Sequence, residues 1–113
     1  MPTVFPEGKY KTTPFVLADA NETTVYTCTE KWAYVVQIWL ADDGGSARTA
    51  TLTATLGGTK IRLAVTEAVA ANTAVSHEPF MQLLADDIVQ VTSDAAGLEG
   101  FITTVEPVTQ IEG

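Results

Sequence analysis

Two sets of residues in this sequence have side chains that could perform chemistry. The first is the single histidine, His77, which lies between Ser76 and Glu78 and so adjoins the other residue types of a hydrolase triad. Triad residues converge in space from separated positions, and adjacent residues rarely reach that geometry. We therefore interpret His77 as a polar loop residue before Pro79 and not as a catalytic base.

The second set contains the lone cysteine, Cys28, and two acidic pairs, Asp42-Asp43 and Asp86-Asp87. A nucleophilic thiol needs a base and cationic surroundings, and only Lys31 lies close to Cys28 along the chain, so we predict a half-buried structural thiol. The spaced acids of an EF-hand loop and a Cys/His set for zinc are both absent, so we interpret the four acids as solvated turn residues, with Ca²⁺ binding as the alternative. The sequence predicts no catalytic residue, no metal site and no cofactor, and hence a protein that is not an enzyme.

The charge balance narrows the classes of partner. The chain carries fourteen Asp and Glu against six Lys and Arg, a formal net charge of −8. Phosphate backbones repel such a chain, so we expect no nucleic-acid partner. No apolar run approaches the roughly 18 residues of a membrane span, and we expect neither a membrane segment nor a signal peptide. A single cysteine cannot form an internal disulfide, which favours a cytoplasm or a particle assembled there.

The elements that position these residues are short strands. Eighteen of the 113 residues are threonine, and β-branched residues favour strands. Residues 49–56 alternate fully between threonine and alanine or leucine, which predicts a polar outer face over an apolar inner one. Gly57-Gly58 then fits a tight hairpin turn. By contrast, Thr66–Ser76 is rich in alanine and contains Asn72, so we predict a loop that crosses the fold.

Similar patterns recur about eight times along the chain, at spacings of roughly 8–12 residues and without an amphipathic helix between them. This spacing predicts an all-β fold: a single antiparallel β-sandwich, jelly-roll-like, over residues 15–106. Residues 1–14 contain three prolines and therefore predict an extended N-terminal arm. Residues 107–113 predict a short C-terminal tail.

The strongest strand pattern, Ala33–Leu40, supplies a candidate interface. Regular alternation points Val35 and Trp39 outward. The opposite, buried face then carries four apolar residues: Tyr34, Val36, Ile38 and Leu40. Because a sandwich buries one face of each sheet, an outward Trp39 needs a cover. That cover is either a partner protein or the N-terminal arm, through Phe5 or Tyr10.

Six residues are therefore candidate interaction residues: Phe5, Lys9, Tyr10, Lys11, Val35 and Trp39. The lysines are included because the N-terminal arm carries two of the six cations of the chain. A carbohydrate-binding platform made of Trp32, Trp39 and Tyr26 is a further alternative for the same aromatic residues.

The run from Thr23 to Val105 also resembles small virion structural proteins of tailed bacteriophages. The shared layout is a TVYT strand, a long apolar strand ending in an acidic turn (VVQIWLADDG), and a threonine-rich strand with a GGT hairpin (TLTATLGGTKI). The stretch LADDIVQV is similar to the L-x-A-G-D-x-I-x-V of that layout, and GFITTVEPV resembles its final strand. Two positions depart from the layout, because Asp86 replaces its glycine and Cys28–Lys31 (CTEK) replaces its PAGK.

This resemblance implies a β-sandwich component of a virion without catalytic residues. It further implies a capsid decoration or cement protein that stabilises the phage head by bridging neighbouring capsid subunits. The implied partners are the major capsid protein or other virion proteins, and the implied state is a homo-oligomer, with a trimer favoured. A head–tail connector or tail protein is the alternative within this class, and a carbohydrate-binding module is the alternative outside it.

Overall fold

The computed structural model describes residues 8–42 and 45–108 of the chain, without the side chains of residues 65–67. These residues form nine strands, and no helix occurs among them. The strands are β1 (Gly8–Val16), β2 (Thr23–Thr27), β3 (Trp32–Asp42), β4 (Arg48–Leu56), β5 (Thr59–Val69), β6 (Thr73–His77), β7 (Met81–Leu84), β8 (Ile88–Ser93) and β9 (Glu99–Pro107). The all-β prediction is confirmed, with nine strands where about eight were expected.

The strands form two antiparallel sheets. Sheet I has the order β1-β9-β3-β6, and β7 pairs with the first part of β3. Sheet II has the order β2-β8-β4-β5. The pairs are nested: β1 pairs with β9, β2 with β8, β3 with β6 and β7, and β4 with β5. This winding is that of a jelly roll, a double-sheet sandwich, so the predicted jelly-roll-like sandwich is confirmed.

The core lies between the two sheets and follows from alternation along each strand. Inward residues of sheet I, such as Ile38 and Ile102, belong to one hydrophobic cluster with inward residues of sheet II, such as Leu52 and Val91. Each such side chain stabilises the fold by roughly 1.5–3 kcal/mol when it is fully buried. The inner faces of both sheets are therefore occupied by the core, and partners can reach only the outer faces, the sheet edges and the turns.

A β-bulge in β3 changes the predicted orientation of its residues. The pairing of β3 with β9 shifts register between Val35 and Gln37, so Val36 is the extra residue. An extra residue reverses the alternation beyond it. Val35 therefore shares the inward side with Ile38 and is 0% exposed. The prediction that Val35 points outward is wrong, and Tyr34 lies on the opposite side of the sheet from the one predicted.

Strands β5 and β6 occupy most of the stretch predicted to be a crossing loop. β5 continues to Val69 and β6 begins at Thr73, which leaves only a short turn between them. In that turn Asn72 has a φ of 59°, a left-handed conformation that asparagine tolerates. The Thr73 hydroxyl donates a hydrogen bond to the Ala70 carbonyl at 2.7 Å. The loop prediction was wrong because the β-branched residues on both sides of Asn72 extend the strands.

Candidate functional site

Strand register brings aromatic and apolar side chains together on the outer face of sheet I. Cross-strand partners point to the same side of a sheet, so Trp39 lies beside Phe101, and Phe101 beside Pro14. Tyr34 lies beside Val105 in the same way. We define the aromatic face as nine outward residues of sheet I: Tyr10, Pro14, Val16, Trp32, Tyr34, Trp39, Leu84, Phe101 and Val105.

Ring contacts hold the aromatic side chains of this face in place. Trp39 stacks on Phe101, with ring centroids 5.1 Å apart and ring planes at 17°. Trp32 packs against Tyr34, with centroids 5.4 Å apart. Aromatic pairs at such separations contribute about 0.5–1.5 kcal/mol beyond the area that they bury. The four rings are therefore positioned by this chain alone, before any partner binds.

The margins of the aromatic face are open to solvent. Tyr10, Val16 and Leu84 are 75%, 69% and 57% exposed. Among the outward strand positions of sheet I that the structure describes, only Glu99 carries a charge. A row of polar residues, Thr12, Thr103 and Gln37, separates the two aromatic pairs of this face. Exposed apolar patches are candidates for interaction sites. Tyrosine and tryptophan are also enriched among the residues that dominate binding energy at protein interfaces.

The outer face of sheet II is polar by contrast. We define the threonine face by seven polar residues among its outward positions in β4, β5 and β8, which also include Thr49 and Ile88: Thr51, Thr53, Thr55, Lys60, Arg62, Gln90 and Thr92. Residues 50, 52 and 54 beneath it are buried, so the predicted division of residues 49–56 into two faces is confirmed. Glu22 accepts hydrogen bonds on this face from Lys60 at 2.7 Å and from Thr53 at 3.3 Å. The hydrogen bond from Lys60 lowers the pKa of the Glu22 carboxyl.

The structure brings two of the six candidate interaction residues to the aromatic face. Tyr10 and Trp39 both point outward from sheet I, and their partners on β9 are four residues apart, or roughly 13 Å at the rise of a strand. Val35 is in the core and is unavailable to a partner. Phe5 lies outside the described residues.

Lys9 and Lys11 lie on the opposite side of β1, at the edge of the sandwich. The Nζ atom of Lys11 is 3.8 Å from Oε2 of Glu106, a buried carboxylate. That oxygen also accepts a hydrogen bond of 2.5 Å from the hydroxyl of Tyr26 in sheet II. Burial and the Glu106 hydrogen bond raise the pKa of Tyr26 well above its ordinary value. This group joins the two sheets, and the carbohydrate platform that included Tyr26 is wrong because its ring is only 5% exposed.

Two of the chemically reactive residues have structural roles. Cys28 is fully buried, where the sequence predicted half-burial, and burial raises the pKa of its thiol. Asp42 and Asp87 are both buried, where the sequence predicted solvated acids. The carboxylate of Asp87 accepts hydrogen bonds from the backbone N–H groups of Leu84 and Gly57, each at 2.9 Å. Asp87 thereby fixes two turns at one end of the sandwich. Asp43 lies outside the described residues.

His77 is the last residue of β6 and not the predicted loop residue, and its neighbours form a polar chain at the edge of sheet I. Ser76 accepts a hydrogen bond from the Gln37 amide at 2.9 Å and donates one to Glu78 at 3.3 Å. Within residues 8–42 and 45–108, no three His, Cys, Asp or Glu side chains are grouped so that they could hold a metal ion. The same residues contain no helix long and apolar enough to cross a membrane.

Sequence reasoning found Trp39 but missed most of the surface around it. Phe101, Pro14, Val16 and Leu84 join Trp39 only through strand order, since they come from three other strands. The segment GFITTVEPV has apolar residues at both alternating sets of positions, so its pattern does not reveal which set faces outward. A usable signal was the low count of charged residues in the segment of β3, a middle strand of sheet I, where Asp42 is the single charged residue of eleven.

Comparison with solved structures finds this fold in two kinds of assembly. A structure of Bacillus endospore appendages, described as a family of disulfide-linked pili, has 19% identity over 91% of this chain and 88% of that chain, with a TM-score of 0.57. A chain of the T13 viral particle of IBDV has 6% identity over 88% of this chain and 31% of its own length, with a TM-score of 0.53. A chain of infectious bursal disease virus, Gx strain, has 8% identity over 91% of this chain and 34% of its own, with a TM-score of 0.50.

These likenesses show a shared fold. This chain spans about a third of the length of the two viral chains, so the likeness concerns one part of each. No protein-family model and no curated protein matches the sequence. The β-sandwich is thus of a type that occurs both in pili and in virus particles.

Proposed function

We propose that this chain is a non-enzymatic structural protein of a phage virion, a decoration or cement protein that binds neighbouring capsid subunits through the aromatic face. The observation that carries the proposal is the contrast between the two outer faces. An apolar surface that contains two tryptophans faces outward on sheet I, and no described element covers it. The threonine face on the other side is suited to water.

The exposed residues of the aromatic face indicate how much free energy this binding can gain. Burying a large apolar side chain contributes roughly 1.5–3 kcal/mol, and Tyr10, Val16 and Leu84 each keep more than half of their surface exposed. Association also costs several kcal/mol in lost freedom. The ring stacking of Trp39 reduces the ordering part of that cost, because the indole is already fixed. The face therefore has the features of a docking surface and needs no catalytic group.

The comparisons support an assembly role. The same fold occurs in chains of a virus particle and in a pilus, and the resemblance to tailed-phage virion proteins points in the same direction. The proposal includes self-association, with a trimer favoured, and a location on the capsid. A head–tail connector or tail position is the alternative within the virion, and electron microscopy of labelled particles separates these locations.

A pilus subunit is the second candidate, because the endospore appendage chain matches this one over 88% of its length. Those pili are described as disulfide-linked. The one cysteine of this chain, Cys28, is fully buried, so an intermolecular disulfide would require local unfolding of the core. The burial of Cys28 therefore favours non-covalent decoration of a shell over a place in a disulfide-linked fibre.

The test is binding to capsids of the encoding phage that were assembled without this protein. We expect the wild type to bind and to raise the temperature at which the capsids release their contents. The triple variant Tyr10→Ser, Val16→Ser, Leu84→Ser should lose binding while it keeps its fold, because all three side chains are exposed. The matched control on the other face is Thr55→Ser with Arg62→Ser, which should bind as the wild type does. Equal binding by both variants, or none by the wild type, would overturn the proposal.

A further inference from the structure

One end of the aromatic face contains an open groove with a volume of about 390 Å³. It lies where β3 ends and β6 begins. Its lining residues are Trp39, Ala41, Asp42, Asn72, Thr73, Ala74 and Glu99. Ala41 and Ala74 are direct cross-strand partners, and two adjacent methyl side chains leave a depression beside the larger ring of Trp39. Ala41 and Ala74 therefore form the bottom of the groove, and the indole ring of Trp39 forms one side.

The charged groups of this groove have one sign. Glu99 pairs with Ala41 on the outward side of sheet I and supplies a carboxylate to the groove, whereas Asp42 is 2% exposed and alternates to the inward side. The lining contains no Lys, Arg or His. Ionised carboxylates only accept hydrogen bonds, so an occupant must supply donors. Stacking on Phe101 at 5.1 Å fixes the indole ring of Trp39 on the same outward side as Glu99. An anionic occupant is excluded by charge.

We infer that the groove binds the cationic side chain of an arginine or lysine from the protein on which the aromatic face docks. The inference rests on the proposed function, because the groove continues the aromatic face. A guanidinium or ammonium group would lie against the face of Trp39, the best ring for a cation–π contact. Glu99 would pair with the charge, and the aliphatic stem would cover Ala41 and Ala74.

Charge complementarity favours this occupant over a neutral sugar. A sugar ring also stacks on tryptophan, but it is uncharged and would leave the carboxylate of Glu99 without an opposite charge in the groove. The whole chain carries a net charge of −8, which attracts a basic partner surface and speeds encounter with it. Arginine is enriched among the residues that dominate binding energy at interfaces.

The first experiment measures capsid binding by Glu99→Gln over a range of NaCl concentrations. The matched control is Asp86→Asn, which removes the same charge from an exposed turn and keeps a residue type that tolerates the φ of 75° found there. We expect Glu99→Gln to bind about tenfold more weakly at low salt. Its affinity should also fall less steeply with increasing salt than that of the wild type, because the variant lacks the ion pair that salt would screen. Equal affinity and equal salt dependence for the two variants overturn the inference and leave the proposed function standing.

A second experiment does not depend on capsids. The isolated protein is titrated with the peptide Ac-Gly-Arg-Gly-NH₂, and separately with maltose, while NMR records the indole N–H signals of Trp32 and Trp39. We expect the peptide to shift the signal of Trp39 and not that of Trp32, and Glu99→Gln to abolish the shift. A shift with maltose and none with the peptide overturns the inference in favour of a sugar site. Absence of any shift with the peptide overturns it as well.

Discussion

The aromatic face and the threonine face are the outer surfaces of two sheets with the same construction. Both sheets alternate inward apolar residues with outward ones, and both contribute to one core. The outward residues differ: Trp39 and Phe101 stack on one side, whereas Thr53 and Lys60 bond to Glu22 on the other. A sandwich that works alone needs two polar outer faces. The comparison teaches that the outward residues of one sheet depart from what folding requires, and for this reason we place the proposed docking surface there.

Gly100→Ala tests whether the aromatic face depends on close strand approach, and we expect the largest effect from it. A Cβ atom at Gly100 would lie 1.9 Å from the carbonyl oxygen of Trp39, so β9 and β3 must move apart. We expect a loss of roughly 3 kcal/mol or more in the free energy of unfolding, measured with urea. Thr103→Ala, an outward residue of the same strand, is the control and should cost less than about 1 kcal/mol. Similar values for both variants would contradict the close approach.

Tyr26→Phe tests the link between the two sheets and should cost about 1–3 kcal/mol, because the buried Glu106 loses a donor. The pKa of Tyr26 is raised in the folded protein above its ordinary value of 10.0. The hydroxyl therefore contributes stability that is fully present below pH 10 and is lost as the pH rises further. Unfolding curves at pH 7 and pH 11 should show this loss in the wild type. An identical loss in Tyr26→Phe would assign it to other groups.

Tyr10→Ser with Leu84→Ser tests the aromatic face as a surface for self-association. Both side chains are mostly exposed, so we expect the free energy of unfolding to change by no more than about 1 kcal/mol. Sedimentation velocity of the wild type should show an oligomer, and the double variant should sediment as a smaller species. A wild type that remains monomeric at high concentration would remove self-association from the proposal and leave docking on the capsid to be tested by itself.

Lys60→Met tests the threonine face and should give the smallest effect. Both partners of the Lys60–Glu22 pair are partly exposed, and such surface pairs contribute about 0–1 kcal/mol, less in salt. Lys60 lowers the pKa of Glu22 below its ordinary value of 4.5. The pair therefore stabilises the fold above that pH and loses its effect as the pH falls through the lowered pKa. A loss well above 1 kcal/mol, or a loss unaffected by 0.5 M NaCl, would show that the two outer faces are less different than described.

The features that could be predicted from the sequence depend on residues that lie close together along the chain. Alternation in β4 gave the correct inner and outer faces, and Gly57-Gly58 gave the hairpin, where both glycines have positive φ. Val35 was misplaced because the bulge at Val36 depends on pairing with β9, a strand more than sixty residues away. Asp87 was misplaced because its backbone partner Gly57 is in another turn.

The candidate site was predicted only where one residue was informative by itself. Trp39 is a large aromatic residue at an outward position, so its type and its alternation agreed. The groove beside it needs Ala41 and Ala74 to be neighbours, and alanine has no feature in the sequence that marks it as the floor of a site. Strand pairing creates that neighbourhood, and single-strand patterns do not contain it.

The place of β9 in the sheet has a consequence for the order of events during synthesis. β9 lies between β1 and β3 and is the last strand among the described residues. Until residues 99–107 leave the ribosome, β1 and β3 have no strand to join them, and Trp39 has no Phe101 on which to stack. Pairings between distant segments also form slowly. The surface that we propose for docking is therefore completed only after residues 99–107 have been made, although Trp39 is synthesised about sixty residues earlier.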